Sequence, residues 1–224
     1  MDGIVLGIDE AGRGPVIGNM FVVGVALRDT DLRLLSEMGV RDSKSLDRRR
    51  RETLYPKILE AAVAHRVVSY APRIIDRENI NTLFRRAVEL IVREMLNILR
   101  GRLERVSIDL TGPPSILLDS IRNAGFHGEV RAVHRADSKY VEVAAASIVA
   151  KVMRDRHVDA LKRVYGDFGS GYPSDPKTRT WLREWYVGNR SLPAIVRRSW
   201  KTIKQIAPSQ YAEKPHSESL YRYL

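Results

Sequence analysis

Two short apolar runs, each closing on an aspartate, set the strongest limit on what this chain can fold into. Residues 3–9 (Gly-Ile-Val-Leu-Gly-Ile-Asp) and 105–110 (Arg-Val-Ser-Ile-Asp-Leu) have the length and β-branched content of buried strands. Two-residue alternation puts Ile4, Leu6 and Ile8 on one face of the first, with Val5, Gly7 and Asp9 opposite. In the second, Val106, Ile108 and Leu110 oppose Ser107 and Asp109. Each strand therefore carries a carboxylate near its C-terminal end, on its less apolar face. Parallel neighbours in a sheet lie about 4.8 Å apart. Paired that way, the two carboxylates would meet at the carboxyl edge, where ligand sites of open α/β sheets collect. A pair of solvated strand-end aspartates would leave the same trace.

The rest of the chain supplies a sheet with helical cover. A Gly-rich turn, Ala11-Gly12-Arg13-Gly14-Pro15, leads to a second β-rich run over 16–27. Asp47 opens a charged helix over 47–64, and 65–71 reads as a strand. The spacing of Phe84, Val88, Ile91, Met95 and Ile98 predicts an amphipathic helix over 81–100, closed by Gly101. A helix over 115–123, a strand over 129–133 and a long helix over 138–164 follow. The small residues Ala144, Ala145, Ala146 and Ser147 give that long helix a face suited to close packing. Beyond a loop at 168–173, helices are expected over 176–186 and 193–206, then a polar tail. No internal repeat is visible. The expected architecture is an α/β domain: a mixed five-stranded sheet flanked by helices, with a helical C-terminal extension. Expected boundaries are 1–165 for the α/β domain, 166–208 for the helical part and 209–224 for the tail.

Charge narrows the class of partner. Lys and Arg total 38 against 27 Asp and Glu, a formal net charge of +11, and an excess of this size suits a polyanion such as nucleic acid. The chain has no cysteine, which excludes disulfides, zinc fingers, iron–sulfur clusters and thiol nucleophiles. No apolar run reaches the roughly 18 residues of a membrane span. The opening residues also lack a basic start and cleavage site, so a cytoplasmic protein without membrane association is expected.

Two carboxylates held side by side repel, and one takes up a proton unless a cation intervenes. Hard divalent ions prefer oxygen ligands and keep several waters. Glu10 follows Asp9, so strict alternation aims it at the opposite face. It reaches the same ion only if the strand breaks there, and the turn at 11–14 offers the break. Asp137 precedes the long helix, where capping of backbone N–H groups would by itself account for it.

Six ordered motifs carry a resemblance to a known family. Gly7-Ile8-Asp9-Glu10-Ala11-Gly12-Arg13-Gly14-Pro15 resembles the signature opening of the type 2 ribonucleases H, the ribonuclease HII family. Asp42-Ser43-Lys44-Ser45-Leu46 resembles the next motif, and Asp109 after a short strand resembles the third acid. His134-Arg135-Ala136-Asp137-Ser138-Lys139, running on to Ala144 through Lys151, is similar to the fourth-acid segment. Gly169 through Pro176 and Arg198-Ser199-Trp200-Lys201-Thr202 are similar to the archaeal and eukaryotic branch. Asn19-Met20 departs from the family's Pro-Leu.

The resemblance implies a ribonuclease H-like fold and an endoribonuclease acting on the RNA strand of RNA–DNA hybrids. It also implies cleavage 5′ of single ribonucleotides in duplex DNA, leaving 3′-hydroxyl and 5′-phosphate ends, a role in ribonucleotide excision and replication. Asp9, Glu10, Asp109 and Asp137 would be the catalytic, metal-binding acids, taking two Mg²⁺ or Mn²⁺ ions. Gly12, Arg13 and Gly14 would meet the ribose, and Tyr172 the neighbouring deoxyribose. Ser43, Lys44, Arg198, Lys201 and Thr202 would contact phosphates, and the run Arg48–Arg51 offers a further basic patch or simply a solvated face. Leu220, Tyr223 and Leu224 have the spacing of a sliding-clamp box, with Ser217 where Gln is usual and Leu224 in place of the second aromatic; a tail folded back on the protein is the alternative. A monomer is expected. A non-catalytic duplex-binding module and a type 3 ribonuclease H are the competing readings.

Overall fold

The computed structural model describes residues 3–41, 45–110 and 114–214. Five strands are present among them: β1 (Ile4–Ala11), β2 (Met20–Arg28), β3 (Ala64–Tyr70), β4 (Leu103–Asp109) and β5 (Glu129–Val133). The helices are α1 (Leu32–Glu37), α2 (Arg48–Ala61), α3 (Pro72–Ile75), α4 (Ile80–Leu99), α5 (Pro114–Asn123), α6 (Val141–Tyr165), α7 (Pro176–Asn189) and α8 (Lys201–Ile206). No helix among the described residues is long and apolar enough to cross a membrane.

The strands form one sheet in the order β3-β2-β1-β4-β5. β1 runs antiparallel to β2 and parallel to β4, which is parallel to β5. The mixed five-stranded α/β sheet is therefore as expected from the sequence. Local chemistry sets several boundaries. The Asp47 carboxylate accepts from Arg50 N at 2.7 Å and caps α2. Asp175 caps α7 by accepting from Lys177 N at 2.9 Å. On α4 the stripe Phe84, Val88, Ile91 and Met95 is buried, but Ile98 is exposed and Leu99 takes the last core position.

Contacts divide the chain into two compact units. The first comprises Met1–Ala11, Met20–Ser69 and Phe84–Asp155; the second comprises Gly12–Asn19, Tyr70–Leu83 and the chain from Arg156 onward. This grouping is discontinuous, whereas the sequence boundaries at 165 and 208 are continuous. In the first unit Val5, Val23, Val25 and Leu27 of the sheet pack with Ala144, Ala145 and Ala146 of α6 and with Leu54 and Ile58 of α2. In the second, Val16, Ile17, Phe168, Leu182, Val196 and Ile203 form a separate core.

Several elements differ from the sequence reading: β2 starts at Met20 rather than 16, the short helices α1 and α3 are not among those expected, and three further differences bear on the site. β1 stays paired with β2 through Ala11, so the break comes one residue later, at Gly12, whose φ of 85° suits glycine. α6 starts at Val141 rather than 138, because 136–138 close a separate 3₁₀ turn. The expected helix over 193–206 shrinks to α8, because its first half pairs elsewhere. Gly18 N donates to Ile195 O at 2.9 Å and Arg197 N to Val16 O at 2.8 Å, which uses backbone groups a helix would need.

Candidate active site

Asp9 and Asp109 end neighbouring parallel strands. The ladder matches Gly7 with Ser107 and Ile8 with Ile108, so the two aspartates stand next to one another at the carboxyl edge. Gly7 permits this packing: a Cβ there would overlap the Glu142 carbonyl at the start of α6. Glu142, 2% exposed, lies beneath the acids, accepting from Ser107 Oγ at 2.7 Å with Arg105 Nε 3.6 Å away.

Asp9 is 7% exposed and accepts from Glu10 N at 2.8 Å. Burial, reinforced by the Glu10 charge, pushes its carboxyl up to about 8. A hydrogen bond from Ser147 and the Lys151 charge pull the other way. Lys151 Nζ donates to Ser147 Oγ at 2.7 Å, so the pair forms a short polar chain from α6 towards Asp9. Glu10 faces Val22 in the ladder and lies close enough to Asp9 for its charge to act there.

The third and fourth acids are tied to each other through the backbone. Asp109 Oδ1 accepts from Ala136 N at 3.1 Å. Asp137, the next residue, is 3% exposed. Arg135, two residues before Asp137, turns the chain in a left-handed conformation, φ 56°. A non-glycine residue is held there at a cost of about 1–2 kcal/mol. The turn delivers the Ala136 N–H to Asp109. Asp137 thus belongs to a 3₁₀ turn over Ala136–Ser138, four residues ahead of the first residue of α6.

The donor set fits a hard divalent ion. Its oxygens come only from carboxylates, and burial, with the neighbouring Glu10 charge, favours the protonated form of Asp9, which a cation would reverse. Among the described residues no three acidic, histidine or cysteine groups cage an ion by themselves. Water and phosphate oxygens would complete any coordination shell.

In the second unit, the Gly12–Gly14 loop is held by its carbonyls. Arg197, 0% exposed, donates from Nη2 to Gly12 O at 2.6 Å, from Nη1 to Arg13 O at 3.0 Å and from Nε to Gly18 O at 2.9 Å. Trp200 Nε1 donates to Gly14 O at 3.0 Å. Arg13 Nη1 donates to Asn81 Oδ1 at 2.7 Å. The Tyr172 ring, 40% exposed, would lie 3.4 Å from a Cβ at Gly14, so loop and aromatic are neighbours. The loop carrying Tyr172 is anchored by Val16 N to Gly171 O at 2.8 Å and by Thr178.

The remaining sequence-based site residues are placed as follows. Arg198 is half-buried and donates from Nη2 to Leu192 O at 2.9 Å; Thr202 is buried; Lys201 is exposed. Arg50 is exposed and donates to Met38 O at 2.7 Å, while the partly buried Arg51 donates to Leu46 O at 2.5 Å and to Asp155 at 3.1 Å. Ser43, Lys44, Leu220, Tyr223 and Leu224 lie outside the described residues. Sequence reasoning missed the site roles of Ser147, Lys151 and Arg197. The four-residue spacing of Ser147 and Lys151 within a small-residue helix could have revealed the first two; a buried Arg197 inside Arg-Arg gives no such signal.

Known proteins resemble this chain in sequence and fold. The family model described as Ribonuclease HII matches residues 6–203. This chain belongs to the ribonuclease HII family. Ribonuclease HII of Saccharolobus solfataricus is 46% identical over 209 residues, covering 93% of this chain and 96% of that protein. The crystal structure of ribonuclease H2 from Pyrococcus horikoshii OT3 superposes with a TM-score of 0.82 at 39% identity, covering 92% of this chain and 98% of that one. Ribonuclease HII of Archaeoglobus fulgidus, solved in complex with PCNA, gives a TM-score of 0.78 at 40% identity, with 91% and 96% covered. The fold is ribonuclease H-like, and the archaeal resemblance holds. As a ribonuclease HII the protein is an endoribonuclease, a hydrolase of RNA in RNA–DNA hybrids, which sets aside the non-catalytic module and the type 3 reading.

Proposed function

We propose that this ribonuclease HII also cleaves 5′ of single ribonucleotides embedded in duplex DNA, leaving 3′-hydroxyl and 5′-phosphate ends. The observation that carries the reading is the register of β1 and β4, with Asp9 and Asp109 as parallel neighbours. Asp9, Glu10, Asp109 and Asp137 would hold two Mg²⁺ or Mn²⁺ ions, which supply an activated water and neutralise charge on the leaving oxygen. Ser147 and Lys151 orient the Asp9 carboxylate, and the Ala136 N–H fixes that of Asp109.

Selection of the ribonucleotide falls to the 2′-hydroxyl, the group that separates RNA from DNA at one position. The Gly12–Gly14 backbone reads it, since two residues without side chains allow close approach to a sugar. Tyr172 packs on the adjoining deoxyribose. Ser43, Lys44 and the exposed Lys201, with Arg198 and Thr202 alongside, contact phosphates; the net charge of +11 supports a polyanionic substrate. The tail residues Leu220, Tyr223 and Leu224 dock in a sliding clamp, a reading supported by the PCNA complex of the Archaeoglobus fulgidus relative. Mapping the cut on duplex DNA with one ribonucleotide tests the central reading. A single chelator-sensitive cut on the 5′ side is expected; cleavage only of long hybrids would reject it.

A further inference from the structure

Arginine is rarely fully buried, and a buried charge costs free energy unless its hydrogen bonds are well satisfied. Arg197 is 0% exposed, and its three guanidinium nitrogens each serve a different carbonyl, those of Gly12, Arg13 and Gly18. The cation also stacks 5.1 Å from the centre of the Trp200 ring, whose own N–H holds the Gly14 carbonyl at 3.0 Å. One Arg–Trp pair thus grips three successive carbonyls of the loop. The segment bearing the pair is itself pinned by Asp76, which accepts from Arg198 N at 2.8 Å, Ser199 N at 2.9 Å and Ser199 Oγ at 2.7 Å.

In a trans peptide the carbonyl and the following N–H point in opposite directions, and no cis bond occurs among the described residues. Holding the Gly12 and Arg13 carbonyls on the Arg197 side therefore turns the N–H groups of Arg13 and Gly14 to the other side. Gly14, exposed and beside the Tyr172 ring, lies where a sugar would approach. We infer that Arg197 is a positioning residue that fixes the peptide orientation of the Gly12–Gly14 loop, and through it the enzyme's preference for a ribonucleotide over a deoxyribonucleotide. This rests on the reading that the loop meets the ribose. A lysine cannot stand in: its ammonium is a single point, whereas the planar fork spans three acceptors at once.

The test compares wild type, Arg197→Lys and Trp200→Phe. Each is checked by circular dichroism and melting, then titrated in chelator with two duplexes, one all-DNA and one carrying a single ribonucleotide. Wild type is expected to favour the ribonucleotide duplex. Arg197→Lys is expected to bind the all-DNA duplex within about twofold of wild type and to lose the preference. With Mg²⁺ restored, its kcat/KM at the ribonucleotide should fall on the order of 100-fold, as misplacement of a positioning group by about 1 Å does. Trp200→Phe keeps the ring under the guanidinium, loses only the bond to Gly14, and should lose part of the preference. A folded Arg197→Lys with wild-type preference would overturn the inference. If Arg197→Lys does not fold, an unchanged preference in Trp200→Phe would overturn it instead. A wild-type protein with no preference would reject the ribose reading itself and leave the loop geometry unaffected.

Discussion

Asp9 is the group whose titration should report ion binding most clearly. Its carboxyl sits at about 8 because burial and the adjacent Glu10 charge both disfavour the anion. An ordinary aspartate titrates near 4. At pH 7 about nine-tenths of the metal-free molecules therefore carry a proton on Asp9. A divalent ion that uses this carboxylate must expel that proton. Two consequences are measurable. Apparent ion affinity should climb about tenfold per pH unit between pH ~5 and ~8, then level off. Calorimetric titration with Mg²⁺ or Mn²⁺ at pH 7, in buffers of different ionisation enthalpy, should show release of close to one proton per protein. Stability has a definite sign as well. A carboxyl raised in the folded state binds protons more tightly there than in the unfolded chain. Its contribution is therefore fully present below the unfolded value near 4 and is lost as pH rises towards 8. The metal-free protein should melt progressively lower across that window, and added ion should restore the melting temperature most at pH 8. Heats independent of buffer, together with a flat affinity from pH 5 to 8, would refute the reasoning.

Gly7→Ala should cost about 3 kcal/mol or more by thermal or denaturant unfolding, because the new methyl overlaps backbone at the start of α6 rather than a movable side chain; a loss below about 1 kcal/mol would contradict that packing. Tyr172→Ala should impair cleavage at an isolated ribonucleotide more than cleavage of a long hybrid, and equal losses would count against its place at the sugar junction. A chain ending at Pro208 should lose retention on immobilised sliding clamp that the full-length chain shows; equal retention would reject the tail's role.

Much of the first unit was legible because strand periodicity is local. Alternation in residues 3–9 and 105–110, with an aspartate near each C-terminal end, marked both strands and the face each acid shares; that the strands are neighbours came from the ladder. The helix stripe at 84–95 was equally plain, though Ile98 and Leu99 exchanged places, since a periodic pattern fixes a face and not its last turn. What the sequence hid depends on tertiary partners. The region 193–200 looks helical until its backbone is seen to pair with residues 16–18. Arg197 and Arg198 are adjacent and chemically identical, yet one is wholly buried against loop carbonyls and the other half-exposed. The separate 3₁₀ turn that carries Asp137, entered through a left-handed Arg135, left no local signal either. The arginine run at 48–51 read equally as a basic patch or a solvated face, and the partly buried Arg51 instead bonds within the protein, to Leu46 O and Asp155.

The most direct check on the account is Asp109→Asn, which keeps the size of the side chain and its acceptor for the Ala136 N–H while removing the charge. Turnover of an RNA–DNA hybrid in Mg²⁺ or Mn²⁺ should be abolished while hybrid affinity stays near wild type, because the basic surface is untouched. Undiminished turnover in either ion would mean that Asp9 and Asp109, though neighbours in the sheet, do not act on the phosphate together.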